Sequence, residues 1–369
     1  MTGRTDHGRP PATGWSVLIL TRYTALGASS RLRAMQFIPF LEAAGARVKH
    51  SALFDDRYIA HLYTTGNRSL ATVAVSYVKR LITLFTARTY DVVWIEKELF
   101  PYLPRVADLV LYRAKVPVVI DFDDAIFHNY DSNRRGLVRW LFNGRLDRLL
   151  AYSAVVTAGN SYLADYAAAH GARDVRLLPT VVDASRYAVV PPPNDDVFRI
   201  VWIGSPSTAK YLDLVEDALF RLAAVMRICL VTIGAPLLAA FRVTVEQHAW
   251  TEATEAALVA SGHVGIMPLP DEPWERGKCG YKLIQYMAAG RPVVASPVGV
   301  NVDIVTTDIG FLATTSDEWF LALRALATDA GLRSRLGAAG AARVNAEYST
   351  DVIGPRFVEA LAFARKVAL

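Results

Sequence analysis

Short apolar, β-branched runs alternate along the chain with longer stretches in which apolar residues recur every three or four positions. The runs SVLIL (16–20), ARVKHSALF (46–54), DVVWIE (91–96), VPVVIDF (116–122), AVVTAG (154–159) and VRLLPTVV (175–182) predict strands. Helical stretches separate them. One is Arg31–Ala44, stopping at Gly45; another is Ser161–His170, opened by a serine able to cap and closed by Gly171. The alternation breaks at VVPPPNDDV (189–197), where three consecutive prolines suit neither helix nor sheet ladder. It resumes with FRIVWIG (198–204), a helix from about Tyr211 to Val225, ICLVTIG (228–234), and a helix within Glu252–Ser261. VGIMPL (264–269), a helix from about Gly280 to Ala289, RPVVAS (291–296) and GFLA (310–313) follow. From Asp317 the chain reads as helix, in segments broken at Gly331, Gly337–Gly340 and Tyr348–Thr350.

Strand–helix alternation on both sides of the break predicts an α/β protein of two doubly wound, mainly parallel domains. The expected boundaries are a loose polar tail over 1–14, a Rossmann-like domain over 15–188 and a stiff linker over 189–197. A second Rossmann-like domain covers 198–348, and a last helix 349–369. Such domains bind ligands outside the carboxyl ends of their strands, so two facing domains place the site in the cleft between them.

Composition adds limits. The chain has 369 residues, 53% hydrophobic and 20% charged, enough to bury a sizeable core. The net charge of +5 suits an anionic small molecule or a lipid surface, and is too diffuse to argue for nucleic acid. Two cysteines, Cys229 and Cys279, exclude a disulfide framework and a cysteine zinc site, and fit a reducing compartment. The polar start lacks the apolar stretch of a signal peptide, and no uninterrupted apolar run approaches the ~18 residues of a membrane span. The expectation is a soluble cytoplasmic protein able to sit on a membrane face.

Several segments can carry chemistry. In GYKLIQYMAAGRPVVASPVG (280–299) Gly280 precedes an amphipathic helix, and Lys278 and Lys282 lie close to its positive end. This is a phosphate site or an ordinary α/β unit with surface lysines. In WIGSPSTAKYL (202–212) Gly204 and Ser205 turn away from a strand towards Lys210. TRYTALGASSRLRAMQF (21–37) places Gly27, Ser29, Arg31 and Arg33 after the first strand, without the G-x-G-x-x-G of a dinucleotide site. IDFDDAIFHNYD (120–131) ends a strand with Asp121, Asp123, Asp124 and then His128. These carboxylates read as substrate contacts, turn caps or, least, metal ligands. EKELF (96–100) brings Glu96 to a strand end, at the cleft or in an internal ion pair. In 68–88 the apolar Val73, Tyr77, Leu81 and Leu84 share a helical face, with Lys79, Arg80 and Arg88 nearby. That face is core, or a surface for a lipid-borne acceptor. Trp250 and Trp274 belong to a nucleotide or sugar pocket, or to the core.

The stretch VGIMPLPDEPWERGKCGYKLIQYMAAGRPVVASPVGVN resembles the donor-binding half of glycosyltransferase family 4, enzymes of the two-Rossmann GT-B architecture that are mostly retaining. RIVWIGSPSTAKYLDLVEDAL, YDVVWIEKELFPYLP, VVIDFDDAIF and YSTDVIGPRFVEAL are similar to the same family. The resemblance implies transfer of a sugar from a nucleotide-diphosphate sugar to a glycan or glycolipid acceptor. Lys210, Lys282 and the Gly280–Tyr281 amides would face the diphosphate, with Asp123 and Asp124 at the catalytic centre. Gly204, Ser205, Glu275, Lys278 and Gln285 complete the donor side; Gly27, Ser29, Arg31, Glu96, Asp121 and His128 form the acceptor side. No cofactor is implied, and no metal is needed where lysines and helix amides supply the positive charge. The last helix would cross back to the first domain. The family commonly carries two glutamates eight positions apart; here their positions hold Gly277 and Gln285. The departure keeps open a catalytically silent sugar-nucleotide-binding subunit; a GT-B sugar-nucleotide epimerase, acting without an acceptor, is a second alternative, and a nicotinamide oxidoreductase the weakest, since no glycine fingerprint with a downstream acid follows Leu20 or Ile203.

Overall fold

The computed structural model describes residues 14–65, 69–133, 135–142, 144–193, 195–236 and 241–367. The tail expected over 1–14 lies, but for Gly14, outside the described residues, as do the last two residues of the expected final helix.

Each half of the chain builds one parallel sheet of six strands. The first holds β1 (Trp15–Thr21), β2 (Ala46–Ala52), β3 (Val92–Glu96), β4 (Val118–Phe122), β5 (Val155–Ala158) and β6 (Val175–Leu177), in the order β2-β1-β3-β4-β5-β6. The second holds β7 (Phe198–Ile203), β8 (Ile228–Ile233), β9 (Val245–His248), β10 (Val264–Met267), β11 (Val293–Ala295) and β12 (Gly310–Leu312), in the order β12-β11-β10-β7-β8-β9. β3, β4, β5, β8, β10 and β11 are buried throughout, as parallel strands covered on both faces must be. The GT-B two-lobe architecture is thus the observed one. Strand order reverses between β1 and β3 in one lobe and between β7 and β10 in the other, and both switch points open at carboxyl strand ends.

Several elements differ from the sequence expectation. The stretch Arg31–Ala44 is two short helices, Ala28–Arg33 and Ile38–Ala43, joined by a tighter turn over Met35–Phe37. Pro39 falls in the first turn of the second helix, where a missing N–H costs nothing. Helix Ser161–Ala169 is capped not by Ser161 but by Asn160, whose Oδ1 accepts from the Leu163 amide at 2.9 Å. The helix expected from Tyr211 is a 3₁₀ run over Pro206–Val215 followed by helix Glu216–Ala223. β9 is too short and polar to read as a strand. Helix Ala330–Glu347 runs unbroken through Gly337 and Gly340. These glycines admit a neighbour instead of ending the helix: a Cβ at Gly337 would strike the Gly290 carbonyl.

Helix Thr350–Lys366 lies on the first sheet. Phe357 is fully buried there, its ring 4.3 Å from Phe37 and 5.2 Å from Trp94. Val182 and Ser349 form an isolated bridge, so the two passages of chain between the lobes run side by side.

Candidate active site

In the second lobe, the helix Tyr281–Ala288 starts beside the β7 strand end. Its N-cap, Gly280, takes φ +65°, and its first amides have no acceptor within the helix. Lys282, in the first turn, folds over the Trp202 ring with Nζ 4.4 Å from the centroid. A Cβ at Gly204 would stand 2.8 Å from that Nζ, so the strand end is open to the amine because position 204 is glycine. Among the described residues no carboxylate pairs with Lys282. Burial first, then the charge of Lys278, lower its pKa to about 7.

Lys210 is exposed, 5.3 Å from the centre of the Tyr211 ring. The Tyr211 hydroxyl donates to buried Glu275, whose other oxygen has no partner among the described residues. Ser205 starts the turn after Gly204, its amide donating to Thr208 Oγ1 at 3.2 Å.

Gln285 is buried, with Nε2 donating to the Tyr187 hydroxyl at 3.0 Å. Tyr187 donates its one proton to Glu255 at 2.7 Å, and Glu255 also accepts from Trp250 Nε1 at 2.5 Å. The group at 285 must therefore be a donor. Glutamine meets that need and an ionised glutamate does not, which accounts for the departure at the second glutamate position. Arg31, expected on the acceptor side, reaches across the cleft and lies 4.6 Å from the Trp250 ring. Of this cluster, the sequence reading missed Tyr187 and Glu255; the only signal was an acid inside the apolar run Glu255–Ala260.

In the first lobe, Glu96 shapes the loop around Gly27. Its Oε2 accepts from the Arg22 amide at 2.9 Å and from Ser30 Oγ at 2.6 Å. Burial raises its pKa. Lys97 sends Nζ to Asp123 at 2.8 Å, to Ser29 Oγ at 3.0 Å and towards Asp124 at 3.7 Å. Burial opposes the lysine charge, yet Asp123 and Asp124 outweigh it and hold the pKa above the ordinary value.

The lobes meet at this point. Lys278 Nζ lies 2.8 Å from Asp124 Oδ1. Asn160 Nδ2 donates to the Lys278 carbonyl at 2.9 Å, and the Cys279 thiol to the Asp123 carbonyl at 3.1 Å. A Cβ at Gly277 would stand 2.5 Å from Ala125 Cβ and 2.9 Å from its amide nitrogen. Position 277 thus has no room for the glutamate that the resemblance leads one to expect.

The structure brings Lys282 to Gly204 beside Gly280, and Lys278, Asp124, Asp123, Lys97 and Ser29 into one cluster. It does not bring Asp121 to the cleft. Asp121 is completely buried, its oxygens 2.6 and 2.9 Å from the Arg33 guanidinium and one of them 2.5 Å from Thr157 Oγ1. Arg33, which the sequence places near the loop, serves as its internal partner. Glu96 and Glu275 are likewise enclosed, each held by its own donors. His128 bonds Asp131 through Nδ1 and the Tyr162 hydroxyl through Nε2, both at 2.8 Å.

A cation with no carboxylate partner among the described residues, an open helix start and a glycine strand end together suit an anionic group. Residues 197–329 match the family model for glycosyl transferases group 1. No curated protein matches the chain. Among solved structures, HepE of Anabaena, in complex with UDP and glucose, aligns over 94% of this chain and 99% of its own, at 16% identity and a TM-score of 0.69. The sucrose-phosphate synthase of Thermosynechococcus elongatus covers 94% and 98%, at 14% identity and TM-score 0.67. The UDP-forming trehalose-phosphate synthase of Burkholderia xenovorans covers 97% and 100%, at 14% and 0.62. These likenesses establish the fold over nearly the whole chain. Taken together, the chain has the two-lobe GT-B fold, and its second lobe is similar in sequence to glycosyl transferases group 1.

Proposed function

We propose that the chain moves a sugar from a nucleotide-diphosphate donor to a hydroxyl of a glycan or glycolipid acceptor, with retention, in polysaccharide or glycolipid assembly at the cytoplasmic face of a membrane. One observation carries the reading: the Lys282 amine stands at the open strand end of Gly204, beside a helix start, with no carboxylate partner among the described residues. Cleaving the bond from sugar to diphosphate builds negative charge on the leaving oxygen, and a cation already in place stabilises it. The Gly280 and Tyr281 amides add to that stabilisation, and Lys210 flanks it. The ribose falls to the Gln285 network and the base to the Trp250 side. Asp123 and Asp124, oriented by Lys97, receive the acceptor hydroxyl. A bound diphosphate gives Lys278 a second anionic partner and frees Asp124 for the acceptor. Retention follows from front-face attack, in which the departing phosphate helps take the acceptor proton. The UDP and glucose held by HepE make UDP-glucose the first donor to test.

The test is incubation with UDP-, GDP- and TDP-sugars. Slow donor hydrolysis supports the transferase; donor interconversion would identify an epimerase, and saturable binding without turnover a silent subunit. Lys282→Ala is expected to lower turnover by about 100-fold or more with the fold retained. Wild-type rates in that variant would remove the lysine from the mechanism. Lys210→Ala, which removes an exposed cation, should lose less.

A further inference from the structure

The helix Leu70–Phe85 is apolar on two opposite faces. The inner face, with Leu84 and half-buried Tyr77 and Leu81, packs on the first lobe. The outer face carries Ala71, Val75, Val78, Ile82 and Phe85 at helical spacing, all exposed, with Ile82 at 60% and Phe85 at 64%. A helix at a water surface is polar on its outer face; this one is not. A second helix, Gly136–Phe142, exposes Leu137, Leu141 and Trp140, the last at 79%.

Both helices border one loop. Tyr77 meets Phe100 edge to face, 5.6 Å between ring centres, and donates to the Pro101 carbonyl, while Phe142 lies 5.8 Å from Tyr130 and Tyr130 lies 5.5 Å from Tyr102. Tyr102 is itself exposed between them. Neither helix contains an acidic residue. Among the described residues of these two helices and their immediate flanks (69–89 and 135–142), the exposed charges are Lys79, Arg88, Arg135 and Arg139.

We infer that this surface of the first lobe docks on a bilayer containing anionic phospholipids. Apolar side chains and Trp140 would enter the headgroup boundary, and the rim cations would meet lipid phosphates. A second copy of the chain would set cation against cation, whereas an anionic bilayer complements the rim. By length and composition alone the segment Leu70–Thr89 could also cross a membrane. Arg80 decides against that: it is buried and donates to the Thr21 and Ser51 carbonyls at 2.6 and 3.1 Å, so the helix cannot leave the lobe without stranding a guanidinium. The helix lies on the membrane. Helix Gly136–Phe142 follows the turn Ile126–Asn129 at the end of β4, which places the acceptor side of the cleft close to the lipid. Only this last step rests on the transferase reading.

The test is co-sedimentation of the full chain with phosphatidylcholine vesicles, with and without about 30% phosphatidylglycerol. The wild type should pellet with the anionic vesicles and release as salt rises. Ile82→Asp with Phe85→Asp, and separately Trp140→Ser, should each weaken binding about tenfold, with unchanged far-ultraviolet dichroism and unchanged hydrolysis of soluble donor. Arg135→Gln with Arg139→Gln should cost about fivefold per charge. Absence of wild-type binding to either vesicle, or apolar variants that bind like wild type, would overturn the proposal. So would a solution dimer that the same substitutions dissociate, since the occupant would then be a second copy. Donor hydrolysis is measured apart from vesicle binding, so either reading can fail alone.

Discussion

A lysine whose charge is disfavoured by burial stabilises the fold less than an apolar side chain of similar length. For Lys282 the folded pKa of about 7 lies below the ordinary 10.5. Across that window the unfolded chain binds more protons, so stability rises with pH. Under the proposed function activity runs the other way, because a leaving diphosphate would need the protonated amine. Donor kcat/KM is therefore expected to fall above about pH 7, and Lys282→Arg, charged throughout, to flatten that limb in a pH–rate profile. Lys282→Met should raise Tm by ~2–4 °C while abolishing turnover. Arg33 illustrates the opposite case. Arg33→Ala leaves Asp121 charged and unpaired in the core and should cost about 3–5 kcal/mol in denaturant unfolding. Lys282, Gly204 and Gly280 were legible because each sits at a strand end or helix start that local pattern marks. The bond between Tyr187 and Gln285 was not: the two residues meet across 98 positions, and no spacing rule relates them.

At the scale of elements, the strands were the readable part, since a fully buried parallel strand must be a continuous apolar run. β9 escaped because an edge strand of four residues, VEQH, needs no apolar pattern. The glycines of Ala330–Glu347 misled for a physical reason. In sequence they look like helix breakers; in the fold they let that helix approach the backbone at Gly290, just past the helix that carries Lys282. Gly337→Ala has better helix propensity and should nonetheless destabilise, by about 1–3 kcal/mol in thermal unfolding, because its methyl meets a carbonyl that cannot move cheaply. An unchanged or raised Tm would show that the contact yields.

For the whole molecule, the two lobes meet through Lys278, Asn160, Cys279 and the bare backbone of Gly277. Restoring the glutamate of the resembling family at that position is expected to lower activity rather than raise it. Gly277→Glu would drive a side chain into Ala125 and hold the lobes apart, which small-angle scattering would register as a larger radius of gyration. The two-lobed plan was legible from the alternation and its break at the prolines. The juncture was not, because Ala125 and Gly277 are unremarkable residues until they touch.

The paired strands of chain at Val182 and Ser349 carry a consequence for proteolysis. A protease cutting at Pro191–Pro193 would sever only one of two parallel cables. The downstream fragment would still own the helix bearing Phe357, which plugs the upstream fragment's interior beside Phe37 and Trp94. Nicked protein should therefore elute from a sizing column as one particle and separate into two pieces only in denaturant.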